Sequence, residues 1–215
     1  MSARRLVVWR HGRTEWNAER RFQGQTDIAL DDAGREQARQ AALLLTGMSP
    51  TAIVSSDLIR AQDTAAELAA LTGLSVHVDA RLRETNAGEW QGLVWSDLEA
   101  RFADQIARWV SDPHLRPGGG ETRVEVAARM VAAIDDAVRD LPPGATLVVT
   151  THGGAARAAI GLLLGLPPEH WAVLGVLSNC AWSVLTENTS GHGPRWRLTE
   201  YNAGALPTPA LGDDR

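Results

Sequence analysis

The chain has 215 residues, 44% hydrophobic and 22% charged, and a formal net charge of −5. That size suits one globular domain with a sizeable core, and an acidic balance with no basic block argues against general nucleic-acid or membrane-surface binding. All 21 basic residues are arginine, which removes lysine Schiff-base chemistry and the lysine-dependent phosphate loop.

In chain order, the first feature is "RLVVWRHGRTEWN", residues 5–17. Its apolar part, Leu6–Trp9, predicts a short strand, and the strand runs into Arg10, His11 and Gly12 with no spacer. A helix is predicted over about Ala33 to Leu45. A strand follows at Ala52–Ser55, then a helix after Asp57 with Ala61, Thr64, Ala65, Leu68 and Leu71 on one face. Val76–Val78 predicts another strand. Thr122 and Glu125 have capping-box spacing, and Ala127, Met130, Val131, Ile134 and Val138 then share a helical face. "LPPGA" stops that helix. Leu147–Thr151 predicts a strand, and Ala155–Leu164 a helix directly after "THGG". Lastly, "CAWSVLTE" and "RWRLTEY" flank the turn "SGHGP" and predict a closing β-hairpin at one edge.

Strand–helix alternation of this kind predicts an α/β fold, a three-layer α/β/α sandwich with a mostly parallel central sheet. One domain is expected over residues 1–203, with an Ala-, Pro-, Gly- and Asp-rich mobile tail over 204–215. No stretch has the roughly 20 apolar residues of a membrane span. The apolar run after Arg4 and Arg5 is too short for a signal-peptide core, and a lone cysteine allows no internal disulfide. A cytoplasmic location is therefore expected.

In open α/β sheets, ligands bind at the carboxyl ends of the strands, and the reactive residues fall there. Arg10 and His11 close the first strand. "SSDLIRA" puts Arg60 in the first turn of the next helix, and "THGG" puts His152 before Gly153 and Gly154 at a helix start. Glu84 follows Val76–Val78 after a brief connection. Arginines and helix N-termini favour a tetrahedral oxyanion. A histidine among them can attack phosphorus, and a carboxylic acid can protonate a leaving alcohol. Spacing alone leaves open that four polar strand ends are unrelated.

Taken together, "RHGRTEWN", "SSDLIRAQDTA", "RETNAGEWQGL", "GGGET" and "THGG" resemble, in order, the successive motifs of the histidine phosphatase superfamily, which includes the phosphoglycerate mutases. The resemblance runs from Arg10 to Gly154, and the closing hairpin fits it. It implies an α/β fold acting without metal or organic cofactor. His11 would be the phosphorylated nucleophile. Arg10, Asn17, Arg60 and His152 would hold phosphoryl oxygens, and Glu84 would donate and accept the proton. His11 must be neutral to attack, and positive charge from Arg10 and Arg60 disfavours its protonated form.

Members of the mutase branch carry Glu-Ser after the Arg-His-Gly and a longer insertion after the Glu84 position. This chain has "RETNAGEWQG" and is short there, which resembles the phosphatase branch. "GGGETRVEVAAR" and "RWRL" further resemble bacterial enzymes that hydrolyse glucosyl-3-phosphoglycerate. A small anionic sugar or glycerate phosphate is thus the expected substrate, with Arg13 or Arg21 available for a carboxylate. The alternatives are a mutase, a broad-specificity or cobalamin-pathway phosphatase, and a non-catalytic phospho-ligand module.

Gln23, Gly24 and Gly153 are candidate substrate contacts, and Trp90 a candidate for shaping the site. Glu89 is read as loop support. His77, His114, His170 and His192 have no partner spacing and are read as structural or surface residues. Cys180, in an apolar run, is read as a buried inert thiol. No metal-ligand spacing is visible. The "HWAVLGVLSN" run with an edge strand could serve a homodimer, and core packing explains it equally well.

Overall fold

A computed structural model describes residues 3–109 and 111–204; beyond Gly204 the expected tail lies outside these residues. The strands are β1 (Arg5–Arg10), β2 (Ala52–Ser55), β3 (Val76–Val78), β4 (Thr146–Thr151), β5 (Trp182–Glu187) and β6 (Trp196–Ala203). They form one sheet in the order β3-β2-β4-β1-β5-β6. The β1–β4, β2–β4 and β2–β3 pairs are parallel. β5 runs antiparallel to β1 and to β6, so the closing hairpin forms one edge, as expected.

The helices are α1 (Glu15–Ala18), α2 (Asp32–Thr46), α3 (Ile59–Thr72), α4 (Trp95–Trp109), α5 (Arg123–Arg139) and α6 (Gly153–Leu163). Alternation along the strands sends side chains to two cores. Val7, Trp9, Ile53 and Val148 pack against Ala38 and Leu45 of α2 and Ala65 and Leu68 of α3. Leu6, Val8, Leu147 and Val149 pack against Met130 and Ile134 of α5 and Ala156 and Ile160 of α6. Both faces of β1 and β4 are covered, which is why Leu6–Trp9 and Leu147–Val149 read as unbroken apolar runs. Leu71, expected on the core face of α3, is half exposed.

Capping follows the local sequence. Asp31 Oδ1 accepts from the Gly34 N–H at 2.7 Å to start α2. The box at Thr122 and Glu125 starts α5 as expected. α3 takes its cap from outside itself, the Ile59 N–H donating to Asp27 Oδ1 at 2.8 Å.

Helix α4 is absent from the expectations above, although Leu98, Phe102, Ile106 and Trp109 recur at helical spacing. A non-helical Phe102 (φ −133°, ψ 29°) interrupts it, and only one face touches a small aromatic core. There Trp90 and Trp109 meet edge-on with centroids 5.5 Å apart, and Phe22 packs 5.7 Å from Trp90.

The loop leaving β1 is clamped onto the start of α2. A Cβ on Gly12 would stand 2.4 Å from the Gly34 carbonyl oxygen, and one on Gly34 would stand 2.0 Å from that of Arg13. Gly12 therefore lacks a side chain to admit α2's backbone. Replacing Gly34 by Ala forces these backbones apart and is expected to destabilise the fold by about 1–3 kcal/mol. A urea midpoint equal to that of the unaltered chain would show that the two segments separate freely.

Candidate active site

The site is set by the pairing of β1 with β4. Arg10 lies opposite Thr151, and the His11 N–H donates to the Thr151 carbonyl at 3.0 Å. His11 and His152, one residue past each strand, thus come side by side, with ring centroids 5.1 Å apart and planes inclined by 58°. Arg10, His11, Asn17, Gln23, Arg60, Glu84 and His152 are all buried. The residues expected from four distant segments do converge.

His11 Nδ1 lies 2.7 Å from the Gly12 carbonyl oxygen. A carbonyl only accepts, so Nδ1 carries the hydrogen and the neutral ring keeps its lone pair on Nε2. Burial, with the Arg60 and Arg10 charges adding to it, holds His11 well below the usual histidine range. The ring is therefore neutral at neutral pH, as a nucleophile must be; burial is the larger cause, ahead of the arginines.

His152 is held neutral mainly by burial and then by Arg60. Its Nδ1 accepts from Arg60 Nε at 3.2 Å, so Nε2 carries the hydrogen and donates to Ser56 Oγ at 2.9 Å. In this state His152 orients Arg60, and it reaches a phosphoryl oxygen only by releasing Ser56. Arg60 also donates to the carbonyls of Thr26 and Gly24, at 2.8 and 2.7 Å. Gly24 thus anchors Arg60 through its backbone. Arg10 Nη1 donates to the Leu177 carbonyl at 2.6 Å.

Asn17 closes a capping box on Thr14, its Oδ1 accepting from the Thr14 N–H at 3.1 Å. The same oxygen accepts from Asn179 Nδ2 at 3.2 Å, and Asn179 also donates to the His11 carbonyl at 3.1 Å. This fixes the amide so that Asn17 Nδ2 is buried with no acceptor among the described residues. A buried donor left open in this way suits a ligand oxygen. Gln23 Oε1 is likewise buried without a donor.

Glu84 is held by α6. Its Oε2 accepts from the Gly154 N–H at 2.9 Å and its Oε1 from the Ala155 N–H at 2.8 Å. The Thr85 N–H adds a bond to Oε1 at 2.7 Å. The N-terminus of α6, expected to face the substrate anion, therefore holds the carboxyl group. A Cβ on Gly154 would stand 2.9 Å from Glu84 Oε1, so a side chain there would crowd the carboxyl group in this seat. Gly153, at the same turn, is buried.

Arg129 buckles the Glu84 loop with all five of its N–H groups. Nε and one Nη2 hydrogen bond both oxygens of Glu121, and the others reach the carbonyls of Arg81, Arg83 and Glu84 at 2.6–2.8 Å. Glu121 also accepts from the Asn86 N–H at 2.8 Å, which gives the "GGGET" segment a physical role.

Other expected contacts fall elsewhere. Arg13 Nε bonds Asp31 at 2.7 Å, and Arg21 bonds Glu19 at 2.9 Å. Trp90 is fully buried behind Phe22 and Trp109, and these two line the cleft that opens on Glu84. Ser56, Asn179 and Arg129 also serve the site, beyond the residues expected from the sequence. Ser56 lay within the quoted "SSD", whereas nothing local to Asn179 or Arg129 tells of partners more than 40 residues away.

Neutral histidine between arginines, with a carboxyl group on a helix N-terminus opposite, is apparatus for phosphoryl transfer. A family model for the histidine phosphatase superfamily (branch 1) matches residues 6–203. A glucosyl-3-phosphoglycerate phosphatase of Mycolicibacterium vanbaalenii is 43% identical over 218 residues, covering 95% of this chain and 97% of that protein. A solved mycobacterial glucosyl-3-phosphoglycerate phosphatase, in complex with VO3, is 45% identical with a TM-score of 0.87, covering 94% of this chain and 100% of that one. A probable phosphoglycerate mutase of Cronobacter sakazakii is 40% identical, covering 97% of each chain. The chain belongs to the histidine phosphatase superfamily, and it is a phosphomonoester hydrolase of that superfamily.

The neutral histidines make stability depend on pH. Above about pH 6.5 neither the folded nor the unfolded chain holds their protons. Below it the unfolded chain takes up protons that the folded one refuses, so stability falls as pH falls, by up to about 1.4 kcal/mol per pH unit for each histidine. His152→Gln is expected to flatten the loss of Tm between pH 7 and 5. An unchanged slope would contradict a neutral buried His152. Separately, Arg129→Met strands three carbonyls and Glu121, and should lower stability by about 2 kcal/mol. A Tm equal to that of the unaltered chain would show that solvent replaces the buckle.

Proposed function

We propose that this chain hydrolyses glucosyl-3-phosphoglycerate through a phosphohistidine formed at His11. The observation that carries the reading is the His11 tautomer: Nδ1 is committed to the Gly12 carbonyl, so the lone pair lies on Nε2. Relatives at 43–45% identity that are named for this substrate support the substrate choice.

In the first step Nε2 of His11 attacks phosphorus, and the bond from phosphorus to the glycerate C3 oxygen breaks. Glu84 gives its proton to that oxygen, so glucosylglycerate leaves with a hydroxyl group. Arg10, Arg60 and the Asn17 amide hold the equatorial oxygens, where charge is spread during transfer. In the second step water attacks phosphorus as the N–P bond breaks, and Glu84 takes the water's proton. Orthophosphate departs, and His11 returns to its neutral form. The cycle needs nothing besides chain, substrate and water.

The setting we propose is the cytosol, in keeping with a lone buried Cys180 whose thiol burial pushes upward. A homodimer through residues 170–179 is a separate proposal: Trp171 and Leu177 belong to the core, and Val173 is exposed. A second reading, phosphoglycerate mutase, draws on the relative of 40% identity. Release of orthophosphate from the glucosylated substrate, against isomerisation of phosphoglycerate, separates the two.

His11→Ala is expected to abolish both turnover and labelling by substrate carrying radioactive phosphorus. The label on the unaltered chain should be lost in acid and kept in base. A label that survives acid, or one that persists in His11→Ala, would overturn the assignment.

A further inference from the structure

The substrate reading leaves the carboxylate without a partner. Arg13 and Arg21, the arginines suggested by sequence, are held by Asp31 and by Glu19 and the Gly92 carbonyl. A cleft opens on Glu84 instead, walled by Phe22, Trp109 and Val176 and edged by Arg123 and Arg157. Arg123 opens α5 and lies over the Trp109 ring, its guanidinium carbon 4.7 Å from the centroid. Arg157 stands one turn into α6, the helix whose first N–H groups seat Glu84.

Both arginines are partly buried. Burial, with repulsion from Arg157 added, lowers Arg123 to about 10. Among the described residues Arg157 makes no hydrogen bond and no ion pair. Asp112 acts on Arg123 in the opposite sense. Asp112 also accepts from the His114 N–H at 2.9 Å and from Arg108 at 3.0 Å. Glu84 lines the same cleft, and Tyr201, also near Arg157, is pushed up to about 12 by burial and stays neutral, its hydroxyl donating to the Gly175 carbonyl. Two cations driven together on an apolar wall gain most from an anion placed between them.

We propose that Arg123 and Arg157 form a carboxylate subsite that takes the glycerate carboxylate of the leaving group, an inference that rests on the glycerate reading above. The placement follows from the chemistry. The bridging oxygen must meet Glu84 to be protonated, and the carboxylate carbon lies three bonds further on, towards the same cleft. As it stands the cleft encloses about 20 Å³, room for about one water. The carboxylate enters as the guanidinium ends part, with Trp109 guiding that of Arg123. A planar carboxylate suits the arginine fork, and a lysine would meet it as a point charge only.

The test compares glucosyl-3-phosphoglycerate with 2-O-glucosylglycerol 3-phosphate, which carries a hydroxymethyl group in place of the carboxylate. The ratio of the two kcat/KM values is measured for the unaltered chain, Arg157→Met, Arg157→Lys and Arg123→Gln. The ratio should favour the carboxylate in the unaltered chain and fall about tenfold or more in Arg157→Met, mainly through KM. Arg157→Lys should restore part of it. Arg123→Gln should follow Arg157→Met; should it fail to fold, the Arg157 variants decide alone. An unaltered chain with no preference for the carboxylate overturns the glycerate reading itself. A preference that survives Arg157→Met leaves that reading standing and overturns the subsite.

Discussion

The register of β1 against β4 is the constraint on which the rest depends. Because Arg10 lies opposite Thr151, His11 and His152 leave the sheet at the same level and side by side. A slip of one residue would turn Leu6 and Val8 towards α2 and send Val7 and Trp9 into the α5–α6 core, exchanging both apolar sets at once. Burial of two different faces therefore holds the histidines in place. Stability and site geometry rest on the same pairing, and the Gly12–Gly34 contact carries that placement into the loop after His11.

Around this register the chain divides two kinds of electrostatic work. The histidines sit buried among arginines, which keeps both rings neutral, and each tautomer is then set by one backbone or side-chain partner. The carboxyl group of Glu84 is supported separately, by the first turn of α6 beneath it and by the Arg129–Glu121 buckle around its loop. His11 and Glu84, the nucleophile and proton carrier we propose, thus stand on different elements, with the cleft of Phe22, Trp109, Arg123 and Arg157 at the carboxyl side. On the proposals above, leaving-group chemistry and leaving-group recognition would share one wall.

The layered fold was legible because its signals are local and agree with one another. Four-residue apolar runs, capping at Thr122, and helices beginning where strands stop each have a short-range cause. The candidate residues at the strand ends were legible for the same reason, since the strand carboxyl ends of an α/β sheet meet on one side. Helix α4 had its pattern in Leu98, Phe102, Ile106 and Trp109, but a break at Phe102 and one-sided burial weaken it. The partners of Asn179 and Arg129 were not legible, because each is chosen by packing between distant segments. Arg13 shows the converse: its motif position suggested substrate, and the folded chain spends its guanidinium on Asp31, the residue that starts α2.

The central claim is that the phosphoryl group passes through the chain before it meets water. The most direct measurement uses a phosphomonoester made chiral at phosphorus with oxygen isotopes and reads the configuration of the product after turnover. Two in-line displacements, first by His11 and then by an acceptor oxygen, require net retention. With an alcohol supplied as acceptor, the new phosphate ester preserves the stereochemistry for analysis. Net inversion would mean one direct displacement and would contradict a phosphohistidine on the path.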